Sequence, residues 1–370
     1  MDLTKRFPDL FVPPHILTIK PYVPGKPIEE LEREYGIPGS VKLASNENPI
    51  GPSPMAMAAI RDAIGTLHRY PDGGAFELTR VVSDYLGVSP EMIVFGNGSD
   101  ELIGLLCQAL LTQGDEVVLP QPSFLIYDIM TRSMGAKPVA VPLKSLSIDL
   151  DGVLEAVTPD TRMVFINNPN NPTGTIIRKD AFEAFLEKLP RRVMVVVDEA
   201  YIEFVQDDAC AIGTDYLDRP NPLAVLRTFS KAYGLAGLRI GYGIMHEEIR
   251  SLVNRVRMPF NASTLAQVAA GAAIRDTDFL EKTRRVVREG LAYLFDAVGS
   301  LGLTCFPTQS NFFLIDMKRD AGEVFEKMLH QGVIVRSMAS YGFPEYIRVN
   351  VGLPEENERL VAALKEILEP

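Results

Sequence analysis

Three short polar clusters carry the residue types that could do chemistry. "TFSKAYGLAGLRIGY" (228–242) sets Lys231 among small and apolar neighbours and places Arg239 eight positions later. An ammonium in such surroundings tends to lose its proton, and the neutral amine is a nucleophile. "DEAY" (198–201) offers one carboxylate, Asp198, directly after an apolar run. "NPNNPTG" (168–174) offers amide side chains in a turn-forming context. Each has a bland alternative when taken alone. Lys231 is then a solvated loop cation, Asp198 a helix N-cap, and the asparagines plain turn residues.

The elements around them decide between the two. "MIVFG" (92–96), "EVVLP" (116–120), "PVAVPL" (138–143), "RMVFI" (162–166), "RVMVVV" (192–197), "LAVLR" (223–227) and "IGYGIM" (240–245) read as strands. Helical patterns such as "SDELIGLLCQALL" (99–111) and "RKDAFEAFLEKL" (178–189) separate several of them. Continuous Val/Ile runs alternating with helices predict an α/β unit over residues 45–275, its sheet mainly parallel and covered on both faces. "ASTLAQVAAGAAI" (262–274) reads as a buried helix, and the charged helix 278–301 leads into a different pattern. Strands at 310–317, 333–338 and 346–352, with helices at 321–332 and 354–369, predict a small α+β unit over 276–370. The Pro- and Gly-rich segment 1–44 is expected to pack on it. Ligands of an open parallel sheet bind beyond the carboxyl ends of its strands. Clusters that each follow a strand therefore converge on one cleft.

Composition narrows the partners. The chain has 370 residues and a formal net charge of −11, which argues against nucleic acid or an anionic membrane. Convergent arginines can still make a local positive pocket for a small anion. Cys107, Cys210 and Cys305 are dispersed, and His15, His68, His246 and His330 share no ligand spacing, so no disulfide framework or metal site is expected. The opening residues lack the apolar core of a signal peptide, and no apolar run reaches membrane-spanning length. A cytoplasmic protein is the expectation.

"NPNNPTG", "DEAY" and "TFSKAYGLAGLRIGY" together resemble the motifs of the fold-type I, pyridoxal-phosphate-dependent aminotransferases. The resemblance spans nearly the whole chain. "PYVPGKP" (21–27), "LASNENPIGPSP" (43–54), "RYPDGG" (69–74) and "IRVNVG" (347–352) are similar to the histidinol-phosphate aminotransferase branch. It implies a large α/β domain, a small α+β domain and a homodimer.

The resemblance also implies roles. Lys231 is the amine that holds the cofactor aldehyde and later carries a proton to and from the substrate. Asp198 keeps the pyridine nitrogen protonated, and Asn171 and Tyr201 serve the ring oxygen. Ser99 and Asp100 open the helix at the phosphate, with Thr228, Ser230 and Arg239 completing that cradle. Phe124 in "QPSFLIYD" stacks on the ring where many relatives carry tyrosine. Tyr70 reaches the phosphate of a neighbouring subunit, or else is a core tyrosine near a turn. Phe260 and Asn261 are candidates for the cleft wall. Arg348 takes the substrate's anionic group, with Arg336 and Tyr22 adding donors for a phosphate. The implied reaction transfers the amino group of L-histidinol phosphate to 2-oxoglutarate. The alternatives are an aromatic-amino-acid aminotransferase and a phospho-amino-acid decarboxylase of the same cofactor class. In other classes stand a binding protein with a dead site and a nicotinamide dehydrogenase using "GNGSDE" (96–101). That loop has Glu101 where the dinucleotide motif requires its third glycine.

Overall fold

The computed structural model describes residues 11–22 and 25–369. In chain order the strands are β1 (Val41–Lys42), β2 (Ile93–Gly96), β3 (Glu116–Gln121), β4 (Lys137–Pro142), β5 (Thr161–Asn167), β6 (Met194–Asp198) and β7 (Leu223–Thr228), followed by β8 (Gly241–Met245), β9 (Thr304–Cys305), β10 (Phe312–Asp316), β11 (Val333–Ile334), β12 (Arg336–Ser337) and β13 (Tyr346–Asn350). Among the described residues they form three sheets. The largest has seven strands in the order β2-β8-β7-β6-β5-β3-β4.

Side-chain alternation explains why that sheet is buried on both faces. Val195, Val197, Val164 and Ile166 enter one apolar cluster, whereas Met194, Val196, Met163 and Phe165 enter a second on the opposite face. Successive residues of a strand point to opposite sides, so a continuous Val/Ile run needs cover on each. Five strands, from β7 to β4, are mutually parallel. β8 runs against both of its neighbours, β7 and β2. Its first residue, Gly241, pairs with Thr228 and with Gly96, the last residues of those neighbours. The reversed strand therefore begins at the edge where the others end.

Helix starts carry local signals. Ser53, Ser263, Asp276 and Asp320 each accept a hydrogen bond from a backbone amide of their helix's first turn. The 24-residue helix Thr277–Ser300 links the large sheet to the four-stranded sheet β12-β13-β10-β9. The predicted strand 333–338 is two short strands. β11 pairs with β1 in parallel, and β12 pairs with β13 in antiparallel. Both Val333 and Ile334 are buried, and the chain turns at Val335 to serve a second sheet.

Of the N-terminal segment 1–44, residues 1–10 and 23–24 lie outside the described residues. Ile28–Tyr35 and β1 lie on the small unit, but the short helix Pro14–Leu17 lies against the large-sheet helix Ile126–Ser133. The expectation that the whole segment packs on the small unit is corrected to that extent. None of the residues of Pro14–Leu17 is buried. No helix of the described residues is long and apolar enough to cross a membrane.

Candidate active site

A cleft of about 450 Å³ opens at the carboxyl edge of the large sheet, between it and the small unit. Tyr22, Ser99, Asp100, Phe124, Asn171, Asp198, Tyr201, Thr228, Ser230, Lys231, Arg239, Arg336 and Arg348 all line it. Thirteen of the sixteen residues singled out by the sequence thus meet in one place. One exception is Tyr70, which is 82% exposed and stacks on Phe260 with ring centroids 4.7 Å apart. Phe260 and Asn261 also stay out of the cleft wall. Asn261 Nδ2 donates instead to Glu101 Oε2 at 2.7 Å and to the Phe95 carbonyl at 3.0 Å.

The strand ends set the floor. Asp198 closes β6, in register with Asn167 on β5 and Leu226 on β7. Alternation turns Asp198 toward the cleft and its neighbour Glu199 to the far face, where both Nε and Nη2 of Arg227 reach Glu199 Oε2 at 2.8 Å. Asp198 is no helix N-cap: Oδ1 accepts from Ala200 N at 3.2 Å and Oδ2 from the Tyr127 hydroxyl at 2.6 Å. Burial pushes its carboxyl up to about 6, against the Tyr127 hydrogen bond, which pulls it down. Lys231 follows β7, and its Nζ donates to the Ser45 carbonyl at 2.9 Å and lies 5.9 Å from the centre of the Tyr201 ring. Burial first, then the nearby Arg348 charge, pull its pKa down to about 8.

At the far end the helix Ser99–Leu110 points its N-terminus into the cleft, with Asp100 and Glu101 in its first turn. Arg239 enters from the start of β8. Its Nη1 donates to Ser230 Oγ at 3.3 Å and its Nη2 to Asp100 Oδ2 at 3.3 Å. Gly98 makes this approach possible. Its φ is +76°, and a Cβ there would sit 2.4 Å from Arg239 Nη2. Gly241 is equally constrained, since a Cβ would meet the Ser99 amide nitrogen at 2.5 Å. The result is a cradle of free helix amides, hydroxyls of Ser99, Thr228 and Ser230, and one guanidinium. That donor set suits a phosphate group.

The opposite wall comes from the small sheet. Arg348 on β13 is buried, donating from Nη1 to Asn171 Oδ1 at 2.5 Å and from Nη2 to the Ala44 carbonyl at 2.6 Å. Its Nε has no hydrogen-bond partner. Arg336 stands directly opposite it on β12. Asn46 Nδ2 donates to the Tyr201 hydroxyl at 2.9 Å, and Asn46 is itself held by Asn350 and Asn311. Because the Tyr201 oxygen accepts there, its O–H remains to donate into the cleft; likewise Asn171 keeps its Nδ2.

Sequence reasoning missed Tyr127, Ser45, Asn46, Asn167 and Tyr341. Asn46 lies inside "LASNENPIGPSP", so its segment was flagged though its partner was not. Tyr127 stands three residues after Phe124, and nothing in the pattern marks it as a partner of a residue 71 positions away. Among the described residues no cluster of His, Cys, Asp and Glu can hold a metal ion.

The description "Aminotransferase class I and II" matches residues 38–364. The chain belongs to that family. It is 48% identical over 351 residues to histidinol-phosphate aminotransferase 1 of Nitrosococcus oceani, covering 95% of each chain. It is 47% identical to histidinol-phosphate aminotransferase 2 of Pseudomonas aeruginosa, covering 96% of this chain and 97% of that one. The crystal structure of histidinol-phosphate aminotransferase from Sinorhizobium meliloti in complex with pyridoxal-5'-phosphate superposes with a TM-score of 0.90 at 30% identity, covering 97% of this chain and 98% of that one. The protein is therefore a pyridoxal-phosphate-dependent aminotransferase of fold type I, as the motifs implied. The half-buried lysine, buried carboxylate and phosphate cradle fit that cofactor in chemistry. The dehydrogenase alternative finds no support in the "GNGSDE" loop, whose Glu101 binds back to the Asn97 amide.

Proposed function

We infer that this aminotransferase moves the amino group of L-histidinol phosphate to 2-oxoglutarate, giving imidazole-acetol phosphate and L-glutamate, a step of histidine biosynthesis. The observation that carries the reading is the arginine pair of β12 and β13 on the wall facing Lys231 and Asp198. An aromatic amino acid offers one carboxylate, which one guanidinium satisfies. A dianionic phosphate wants more donors, and Arg336, Tyr22 and Tyr341 surround Arg348 on the same wall. The names of the relatives point the same way.

When bound, pyridoxal phosphate supplies an aldehyde to take up the amino group and a protonated ring to draw electrons from the substrate's Cα. Lys231 Nζ would hold the aldehyde carbon until the substrate's amine displaces it, and the freed amine would then take up and return the substrate's Cα proton. Its depressed pKa leaves a good share of neutral amine near pH 8. Asp198 would hold the ring-nitrogen proton, Phe124 would pack on the ring, and the spare donors of Asn171 and Tyr201 would serve the ring oxygen. Ser99, Asp100, Thr228, Ser230 and Arg239 form the phosphate end. Arg348 binds a carboxylate of glutamate in one half-reaction and the phosphate in the other, since its planar fork fits either anion.

In this reading residues 45–275 form the cofactor-binding domain and 276–370 the small domain, with the N-terminal segment bridging them. The enzyme works as a homodimer. Tyr70 and Phe260 stand with Phe76, Met258, Ile64 and Leu67 among the exposed large apolar residues, which suits a covered face. Tyr70 would then reach a partner's phosphate cradle. The free cysteines Cys107, Cys210 and Cys305 suit a reducing cytoplasm. The test is kcat/KM for histidinol phosphate beside phenylalanine, tyrosine and phosphothreonine, with 2-oxoglutarate as acceptor. A preference for either aromatic amino acid, or carbon dioxide release from phosphothreonine, would overturn the substrate assignment.

A further inference from the structure

Tyr127 is fully buried beneath the cleft, yet no step above uses it. Its ring lies flat on Phe165, with centroids 4.6 Å apart and planes 10° from parallel. Its edge meets Phe124, at 5.7 Å and 86°. Two aromatic neighbours at right angles fix the ring in position and direction. Its hydroxyl ends 2.6 Å from Asp198 Oδ2, a short contact between a donor and a buried carboxylate. Few other groups compete for that carboxylate. Ala200 N reaches Oδ1, and Asp100, Glu199 and Tyr201 stand nearby as acidic or phenolic neighbours that disfavour its charge or leave it unassisted.

We propose that Tyr127 is the positioning residue of the cofactor's nitrogen end: its phenol clamps Oδ2 of Asp198, so that Oδ1 is the oxygen presented to the ring, and its edge sets the tilt of Phe124. This deepens the reading of Asp198 given above and rests on it. The physical basis is that a hydrogen bond given to a carboxylate favours its charged form. The buried Asp198 carboxyl stands close to neutrality in its tendency to protonate, and the Tyr127 bond is the largest influence holding it down. Without the hydroxyl, a neutral Asp198 would no longer hold the ring-nitrogen proton.

The experiment is a double-mutant cycle on full-length protein, titrated with pyridoxal phosphate and followed by the cofactor's absorbance. Tyr127→Phe, in the wild-type background, is expected to weaken cofactor affinity roughly tenfold or more, the range for one hydrogen bond to a charged group. It should also move the acid limb of cofactor retention upward by about one pH unit. In an Asp198→Asn background the same change should alter affinity by less than about twofold, because the carboxylate it acts on is gone. Equal losses in both backgrounds would show an independent packing role and overturn the proposal. If Asp198→Asn alone left affinity and acid limb unchanged, the role given to Asp198 would fall first. Should Tyr127→Phe fail to fold, 3-fluorotyrosine at position 127 keeps the ring and offers a more acidic phenol. The acid limb should then move to lower pH, and an unmoved limb would overturn the proposal.

Discussion

Replacing Arg348 by lysine tests the substrate wall most directly. Arg348 spends Nη1 on Asn171 Oδ1 and Nη2 on the Ala44 carbonyl, with the Phe312 ring 5.3 Å from its guanidinium carbon. An ammonium keeps the charge but offers one compact donor centre in place of a planar fork. It leaves at least one of those two buried acceptors unpaired and gives an incoming anion one contact where the fork gives two. A hydrogen bond involving a charged group is worth about 1.5–3 kcal/mol, so losing one contact to the anion costs about 10- to 100-fold in kcat/KM. Both halves of the reaction should suffer if, as proposed, glutamate and histidinol phosphate use the same guanidinium in turn. Single-turnover kinetics separate the halves, one started with histidinol phosphate and the other with glutamate. Arg336→Ala run alongside should reduce the histidinol-phosphate half at least tenfold while changing the glutamate half less than about threefold. Loss confined to one half in Arg348→Lys, or less than threefold loss in both, would refute the shared-anion argument. Equal losses in Arg336→Ala would refute the phosphate role of that residue.

Lys231→Ala should fold and lose turnover by several orders of magnitude; borohydride reduction that fixed cofactor to another lysine in the wild type would contradict the assignment. The same lysine predicts a stability profile for the cofactor-free protein. Between about pH 8 and 10.5 the unfolded chain binds a proton that native Lys231 has released, so stability should rise with pH over that window. A thermal midpoint difference between wild type and Lys231→Met that stays flat from pH 7.5 to 10.5 would contradict it. Gly98→Ala should weaken cofactor retention about tenfold or more, because its Cβ displaces Arg239 at a left-handed φ; unaltered cofactor affinity would show that the cradle tolerates the shift. Mixing inactive Lys231→Ala and Tyr70→Ala proteins should restore activity in mixed dimers, and an active monomer by sedimentation would remove the shared-site idea.

The cleft was legible because its residues announce themselves by breaking a pattern. Asp198 directly follows the run "VMVVV", and Lys231 comes four residues after "LAVLR", so both are ionisable groups set close to a buried sheet, where charge is costly. Residues that work through a neighbour leave no such mark. Tyr127 sits in an ordinary amphipathic helix start, and only the packed ring on Phe165 reveals where its hydroxyl points. Direction was equally hidden. "IGYGIM" looks like its parallel neighbours, since burial on both faces produces the same residue types whichever way a strand runs. The segment "VIVRSM" reads as one strand because alternation does not show which sheet each half joins. Tyr70 sits in a motif that pointed to the site, but in one chain its ring is exposed, and any completion by it involves a second chain.

The register of the small sheet sets Arg336 and Arg348 across from each other on adjacent antiparallel strands. Like charges so placed repel, by a few tenths of a kcal/mol to about one, and burial of one of them removes the water that would soften the repulsion. An oxyanion between the two turns that repulsion into a bridge. If phosphate or sulfate binds there, it should act as a ligand of β12 and β13 and raise the thermal midpoint through mass action. Under the proposed function the same anions should also compete with the substrate. Purification buffers that make this protein most robust are thus expected to be the ones in which its apparent KM for histidinol phosphate is highest.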